Sequence, residues 1–311
     1  MNSKLKKSVR LTALALSLVS VAAHADMNIE SIYGTDSRKD LYEITDAKTL
    51  KLADSTVALI DKGDITITGS TAKLKTESYG QSQGLCTTER FFDQGTAAFC
   101  SGSLIGEDLV LTAGHCVTDA TSCANVRFVF GFSIRTQGAD PTTVSKDEVY
   151  GCSQIIKREQ VGTGADYGLI KLDRKVTNHT PLTIKRAASV VGGKLLVIGQ
   201  PTGLPTKVAD GKVRAITNPG FILTNLDTFA GNSGSAVFDA TTGQVEGILV
   251  RGDADFRYDS TRNCTVATTF PEDGARGEDV TRVSVVTPAI DAYLAAQHPT
   301  PAPSHLPRAV H

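Results

Sequence analysis

Short apolar or alternating runs follow one another along most of the chain, separated by clusters of Gly, Asp, Asn and Pro. Val57–Ile60, Ile65–Thr68, Phe99–Ile105, Leu109–Thr112, Val126–Phe132 and Leu169–Leu172 form a first series of six. Leu195–Gly199, Val213–Thr217, Phe221–Thr224, Ala236–Asp239, Gln244–Val250 and Val280–Val286 form a second. Runs of this length, with little helical periodicity, predict an all-β sandwich or barrel architecture. Two series of six fit two six-stranded antiparallel β-barrels, over about residues 52–185 and 186–286, with a site in the cleft between them. One helix is expected at residues 287–297, where Pro288 suits a first turn and Ile290, Tyr293 and Leu294 share a face.

The two ends read differently from this middle. Lys4, Lys6, Lys7 and Arg10 precede an apolar run from Leu11 to Ala23, and Ala23-His24-Ala25 follows. A basic start, an apolar stretch and an A-x-A site predict a secretory signal peptide over residues 1–25, with the mature chain secreted or periplasmic. The run is too short for a comfortable membrane span, and no later segment is long enough to replace it. Residues 26–51 are polar and mixed, and read as an N-terminal arm or a propeptide. Residues 298–311 are Pro-rich and expected to be disordered.

The formal charge is −1 with the signal and −5 without its four basic residues. That balance points to neither nucleic acid nor an anionic membrane as partner. All six cysteines (Cys86, Cys100, Cys116, Cys123, Cys152, Cys264) lie in the exported part. An even count in an oxidising compartment argues for three disulfides, although six cysteines allow 15 pairings. No C-x-x-C pair occurs, so a metal site is not expected.

Candidate chemistry is confined by the scarcity of histidine. His24 falls in the signal, and His298, His305 and His311 fall in the tail. His179 sits in a polar turn, Val176–Pro181, and reads as a solvated loop residue. His115 follows an apolar strand in Leu111-Thr112-Ala113-Gly114-His115-Cys116. Ser233, in Gly231-Asn232-Ser233-Gly234-Ser235, has the glycine-framed setting of an exposed nucleophile whose flanking N–H groups converge on one point. Asp166 opens the strand Asp166-Tyr167-Gly168-Leu169-Ile170-Lys171-Leu172, where a carboxylate can fix an imidazole tautomer.

Together with Phe99-Cys100-Ser101-Gly102-Ser103-Leu104-Ile105-Gly106, these segments resemble the trypsin-like (chymotrypsin-fold) serine peptidases, in the same His, Asp, Ser order. The resemblance runs from about Leu52 to Gln297. Gly231–Ser235 and Gly34-Thr35-Asp36-Ser37-Arg38 are closer to the bacterial V8-like, glutamyl endopeptidase branch. It implies Ser233 as nucleophile, His115 as general acid and base, Asp166 as its orienter, and the N–H groups of Gly231 and Ser233 as oxyanion hole. It also implies a Cys100–Cys116 disulfide, with Cys123–Cys152 and Cys86–Cys264 for the rest. Asp227, Thr228, Val250, Arg251 and Gly252 would line the S1 pocket, with basic, acidic and neutral P1 residues all open; Arg251 is expected to pair with Asp227 or to attract an acidic side chain. Asn232 stands where the digestive enzymes carry an Asp that pairs with a newly cut N-terminus, so no such switch is expected.

The implied function is a secreted serine endopeptidase acting through an acyl-enzyme, as a monomer without cofactor, on protein or peptide substrates. The alternative is a catalytically silent binding protein or toxin on the same fold. A metal hydrolase is disfavoured by the histidine count, and a chaperone-protease by the lack of sequence for a PDZ-type module.

Overall fold

The computed structural model describes residues 31–297; the expected signal peptide and Pro-rich tail lie outside the described residues. Twelve strands build two closed antiparallel barrels. The first comprises β1 (Thr56–Asp61), β2 (Cys100–Gly106), β3 (Leu109–Thr112), β4 (Val126–Val129), β5 (Val149–Gln160) and β6 (Asp166–Leu172). The second comprises β7 (Lys194–Gly199), β8 (Lys207–Ala215), β9 (Phe221–Thr224), β10 (Ala236–Asp239), β11 (Val245–Arg251) and β12 (Glu278–Arg282). Around the first barrel the order is β4-β5-β6-β3-β2-β1, closed by β1 against β4. Around the second it is β7-β10-β11-β12-β9-β8, closed by β8 against β7.

Burial on both faces explains why several strands are continuous apolar runs rather than alternating ones. Val110 and Ile170 point into the first barrel, while their neighbours Leu109, Leu111 and Leu169 point out towards the second. Leu195, Val197, Val237 and Leu249 fill the second barrel, while Ile198, Ala236, Phe238 and Ile248 face back. Each such side chain withdrawn from water contributes on the order of 1.5–3 kcal/mol. The outward set is therefore what holds the barrels together.

Three expectations need correction. Ile65–Thr68 is a strand but lies outside the barrel, in a three-stranded sheet with Thr71–Leu74 and Thr143–Ser145. Its place in the barrel is taken by β5, whose alternation is broken by register shifts at Cys152/Gln154 and Ile155/Lys157. The last strand ends at Arg282, and Val283–Gln297 is helical, so Pro288 stands well inside the helix. Val283, Val286, Ile290 and Tyr293 pack into the cluster between the barrels, which outweighs the one backbone bond Pro288 forgoes. The Tyr293 hydroxyl reaches Asp108 at 2.9 Å, pinning the helix to the β2–β3 turn.

His179 is not solvated. Its ring stacks on Phe130 at 4.2 Å, Nδ1 meets Asp54 at 2.9 Å and Nε2 meets Glu148 at 2.7 Å. Disulfides join Cys100 to Cys116, Cys123 to Cys152 and Cys86 to Cys264. No helix among the described residues is long and apolar enough to cross a membrane.

The segment before the first barrel is built into the second. Ile32–Tyr33 pairs in parallel with Thr269–Phe270, and Lys39–Asp40 extends the sheet at β8. Lys207, 2 % exposed, donates to Asp40 at 2.5 Å, to Gln94 at 2.7 Å and to the Pro205 carbonyl at 3.0 Å. Arg38, also buried, is paired with Asp36 and lies over the rings of Phe229 and Phe91.

Candidate active site

His115 lies on the loop that leaves β3, and Asp166 is the first residue of β6, the strand paired with β3. Pairing brings the two ends together. The imidazole Nδ1 stands 2.7 Å from Asp166 Oδ2, while Oδ1 accepts from the backbone N–H of Gly114 at 2.6 Å and of His115 at 3.2 Å. One carboxylate thus fixes both the ring and the loop that carries it. Asp166 is buried, whereas the His115 side chain is 17 % exposed, so the ring has an inner, anchored edge and an accessible side. Arg158 of β5 donates to the Gly114 carbonyl at 2.6 Å and steadies the same loop.

The second barrel holds this pair from behind. Thr281 of β12 accepts from the Asp166 N–H at 3.0 Å and donates to the Asp166 carbonyl at 2.9 Å. Sequence reasoning missed Thr281, because nothing local distinguishes a buried threonine that clasps another strand.

Ser233 lies in the turn between Phe229 and β10. Gly231 and Gly234 have φ of +95° and +88°, values that side chains disfavour. The turn is fastened by Asn232 N–H to the Phe229 carbonyl at 2.9 Å and Ser235 N–H to the Asn232 carbonyl at 2.7 Å. The Ser233 carbonyl accepts from Ser101 N–H of β2 at 2.8 Å, and Gly234 N–H donates to Leu249 of β11 at 2.8 Å. Both barrels therefore hold the turn. Ser101 Oγ donates to the Gly231 carbonyl at 2.8 Å and accepts from Gln200 N–H at 2.9 Å. The Ser233 carbonyl also lies 3.6 Å from Cys116 Sγ, beside His115. Among the described residues, no protein acceptor takes the N–H of Gly231 or Ser233. Asn232 is buried and its side-chain oxygen accepts from Ser235 Oγ at 3.1 Å.

The S1 candidates are brought near one another, but their charges are already engaged. Asp227 Oδ1 accepts from Tyr33 N–H at 2.7 Å; Oδ2 accepts from Ser37 N–H at 2.8 Å and Ser37 Oγ at 2.6 Å. Burial pushes the Asp227 carboxyl up to about 6, against the pull of these donors. Arg251 does not pair with Asp227; it donates to Asp279 at 2.7 Å and to the Gly164 carbonyl at 2.6 Å. Thr228 Oγ1 donates to Glu278 at 3.1 Å. A Cβ on Gly252 would fall on the Glu278 carboxylate, so that carboxylate lies directly behind the Gly252 backbone. Burial raises Glu278 well above the usual carboxylate range, and raises Asp255, which accepts from Ala230 N–H at 3.0 Å, to about 8. Glu278, Asp255, Tyr33 and Ser37 were not legible as site residues: Ser37 lies in the Gly34–Arg38 segment and Asp255 close to Gly252, but the carboxyl and backbone partners they meet are set by the fold and not by local pattern.

Cys100, His115 and Cys116 lie close enough together to suggest a metal site, but both sulfurs are consumed by a disulfide.

Residues 100–248 match a trypsin-like peptidase domain. The chain is 33% identical over 112 residues to venom plasminogen activator GPV-PA of Trimeresurus albolabris, covering 35% of this chain and 41% of that protein. It is 36% identical over 141 residues to Lectizyme of Glossina austeni, covering 43% and 47%. The chain thus spans less than half the length of these relatives. Among solved structures, a Glu endopeptidase in complex with MPD aligns with a TM-score of 0.49 and 19% identity, covering 85% of this chain and 99% of that one. The matched stretch carries the paired His115 and Asp166 and the glycine-framed Ser233, so over somewhat under half of its length the chain is similar to the trypsin-like peptidases.

Proposed function

We propose that the protein is an exported serine endopeptidase that hydrolyses peptide bonds through an acyl-enzyme. The observation that carries this reading is the Asp166 carboxylate, which binds the His115 ring and the His115 loop together beside the Ser233 turn. Ser233 Oγ attacks the scissile carbonyl while His115 Nε2 takes its proton. Asp166 keeps the proton of Nδ1 in place and stabilises the imidazolium that forms. The N–H groups of Gly231 and Ser233 receive the developing oxyanion. His115 then returns the proton to the leaving amine, and water repeats the sequence on the ester. The residues around Ser233 and the Gly34–Arg38 segment favour the V8-like branch, and three disulfides suit an oxidising compartment.

The test is a fluorophosphonate probe on the folded, mature protein, with a diverse peptide mixture as substrate. Labelling at Ser233 is expected, and Ser233→Ala should lower turnover by about 10⁴–10⁶. A folded wild type that takes no label and leaves the peptides intact would instead be a binding protein on this fold.

A further inference from the structure

Every residue from Asp227 to Phe229, just ahead of the nucleophile turn, is held by the segment Ser31–Arg38. Asp227 is held by Tyr33 and Ser37, as described. Thr228 N–H donates to the Ser31 carbonyl at 3.2 Å, and the Arg38 guanidinium lies 4.2 Å from the centre of the Phe229 ring. The opposite wall is held by the same segment. The Tyr33 hydroxyl donates to Glu278 at 3.0 Å and accepts from Gly277 N–H at 3.1 Å, and Ser31 Oγ donates to the Ala254 carbonyl at 2.9 Å. Gly34, at φ +75°, reverses the chain so that Tyr33 and Ser37 converge on one carboxylate.

We infer that Tyr33 and Ser37 are positioning residues for the S1 pocket, fixing the spacing of its Asp227–Phe229 and Gly252–Glu278 walls, and that the segment from Ser31 onward is a permanent part of the enzyme rather than a removable propeptide. The inference rests on the peptidase reading above. Its physical content is that Tyr33 bridges both walls at once, through its N–H on one side and its hydroxyl on the other. Asp227 is satisfied by the arm and not by a substrate side chain. Glu278 fills the space behind Gly252, with Tyr33 and Thr228 as donors. Removing a donor leaves a buried carboxyl short of a partner, and the wall shifts to find another. Ser233, His115 and Asp166 make none of these bonds.

The experiment uses the full chain and four proteins: wild type, Tyr33→Phe, Ser37→Ala and Ser37→Thr. Values of kcat and KM are measured separately on one peptide series varied only at P1. Labelling by a small fluorophosphonate without a P1 side chain reports Ser233 and His115 alone. Tyr33→Phe and Ser37→Ala are expected to raise KM about tenfold or to reorder P1 preference by that factor, with kcat and labelling rate within about threefold of wild type. Ser37→Thr, which keeps the hydroxyl, is expected to restore wild-type behaviour. Unchanged KM and P1 order in both variants, with only the melting temperature lowered, overturns the inference. So does a Ser37→Thr protein no better than Ser37→Ala. Ser37 is half-buried, so its variants remain informative should Tyr33→Phe not fold. A wild type that neither labels nor cleaves overturns the peptidase reading itself, and this one with it.

Discussion

Replacing Gly234 by Ala tests how tightly the Ser233 turn is seated. A Cβ built there lies 2.1 Å from the Ser101 carbonyl oxygen, 2.3 Å from Thr112 Oγ1 and 2.9 Å from Ala113 N. Real Cβ contacts stop near 3.0 Å, so the turn must retreat from β2 by about 0.9 Å. The obstacles are firm, being backbone atoms and a hydroxyl that itself donates to the Ser101 carbonyl at 2.6 Å. The retreat lengthens the Ser101–Ser233 bond and carries Ser233 away from the His115 loop. Alanine in a left-handed conformation costs about 1–2 kcal/mol, and overpacking adds about 1–3 kcal/mol. A displacement of about 1 Å at a reacting group costs on the order of 10²-fold in rate. Gly138→Ala is the control: φ is +80° there, but nothing lies within 4 Å. The assay pairs kcat/KM on a peptide with thermal unfolding. Gly138→Ala should lose about 1–2 kcal/mol with full activity, whereas Gly234→Ala should lose about 2–5 kcal/mol and about 10²-fold in kcat/KM. A Gly234→Ala protein within threefold of wild-type kcat/KM refutes the argument.

Three further outcomes are expected. Asp166→Asn should lower kcat about 10⁴-fold while fold and stability persist, as checked by peptide hydrolysis beside circular dichroism; a loss under tenfold would show that His115 needs no orienter. Asp40→Asn strands Lys207, which burial already lowers to about 8 in spite of Asp40. Because the folded state can escape by losing the Lys207 proton, the destabilisation is capped at about 1.4 kcal/mol per pH unit below 8, so denaturant titrations should read about 3 kcal/mol at pH 6 and little above pH 8. A loss that grows with pH contradicts this. At His179, burial alone would lower the pKa, but Glu148 and Asp54 outweigh it and raise it above 6.5. Its contribution is therefore full below pH 6.5 and fades as pH rises through the folded value, so the melting-temperature gap between wild type and His179→Gln should narrow from pH 5.5 to pH 9. A gap that widens is the contrary result.

The barrels could be read from the sequence because their strands are buried on two faces, which leaves runs such as Leu195–Gly199 too apolar for a surface. β5 escaped because its two register shifts disrupt alternation and half of its length is polar. The start of the helix escaped because three of the four residues Val283–Val286 are β-branched valines, and only their packing between the barrels decides for a helix. At the site, His115, Asp166 and Ser233 stood out because glycines and strand ends surround them. Their supports did not. Thr281, Tyr33 and Glu278 act across separations of 115, 194 and 245 residues, and a local pattern carries no trace of such contacts. His179 was misread for the same reason, since Asp54 lies 125 residues away.

The clasp of Thr281 on Asp166 has a consequence for biogenesis. A chain synthesised from its N-terminus presents His115 and Asp166 well before Ser233, and Thr281 after all three. Asp166 is backed by the last strand of the second barrel. The clasp therefore closes only after that strand has been made, and a chain ending before Glu278 leaves the Asp166 backbone without its partner.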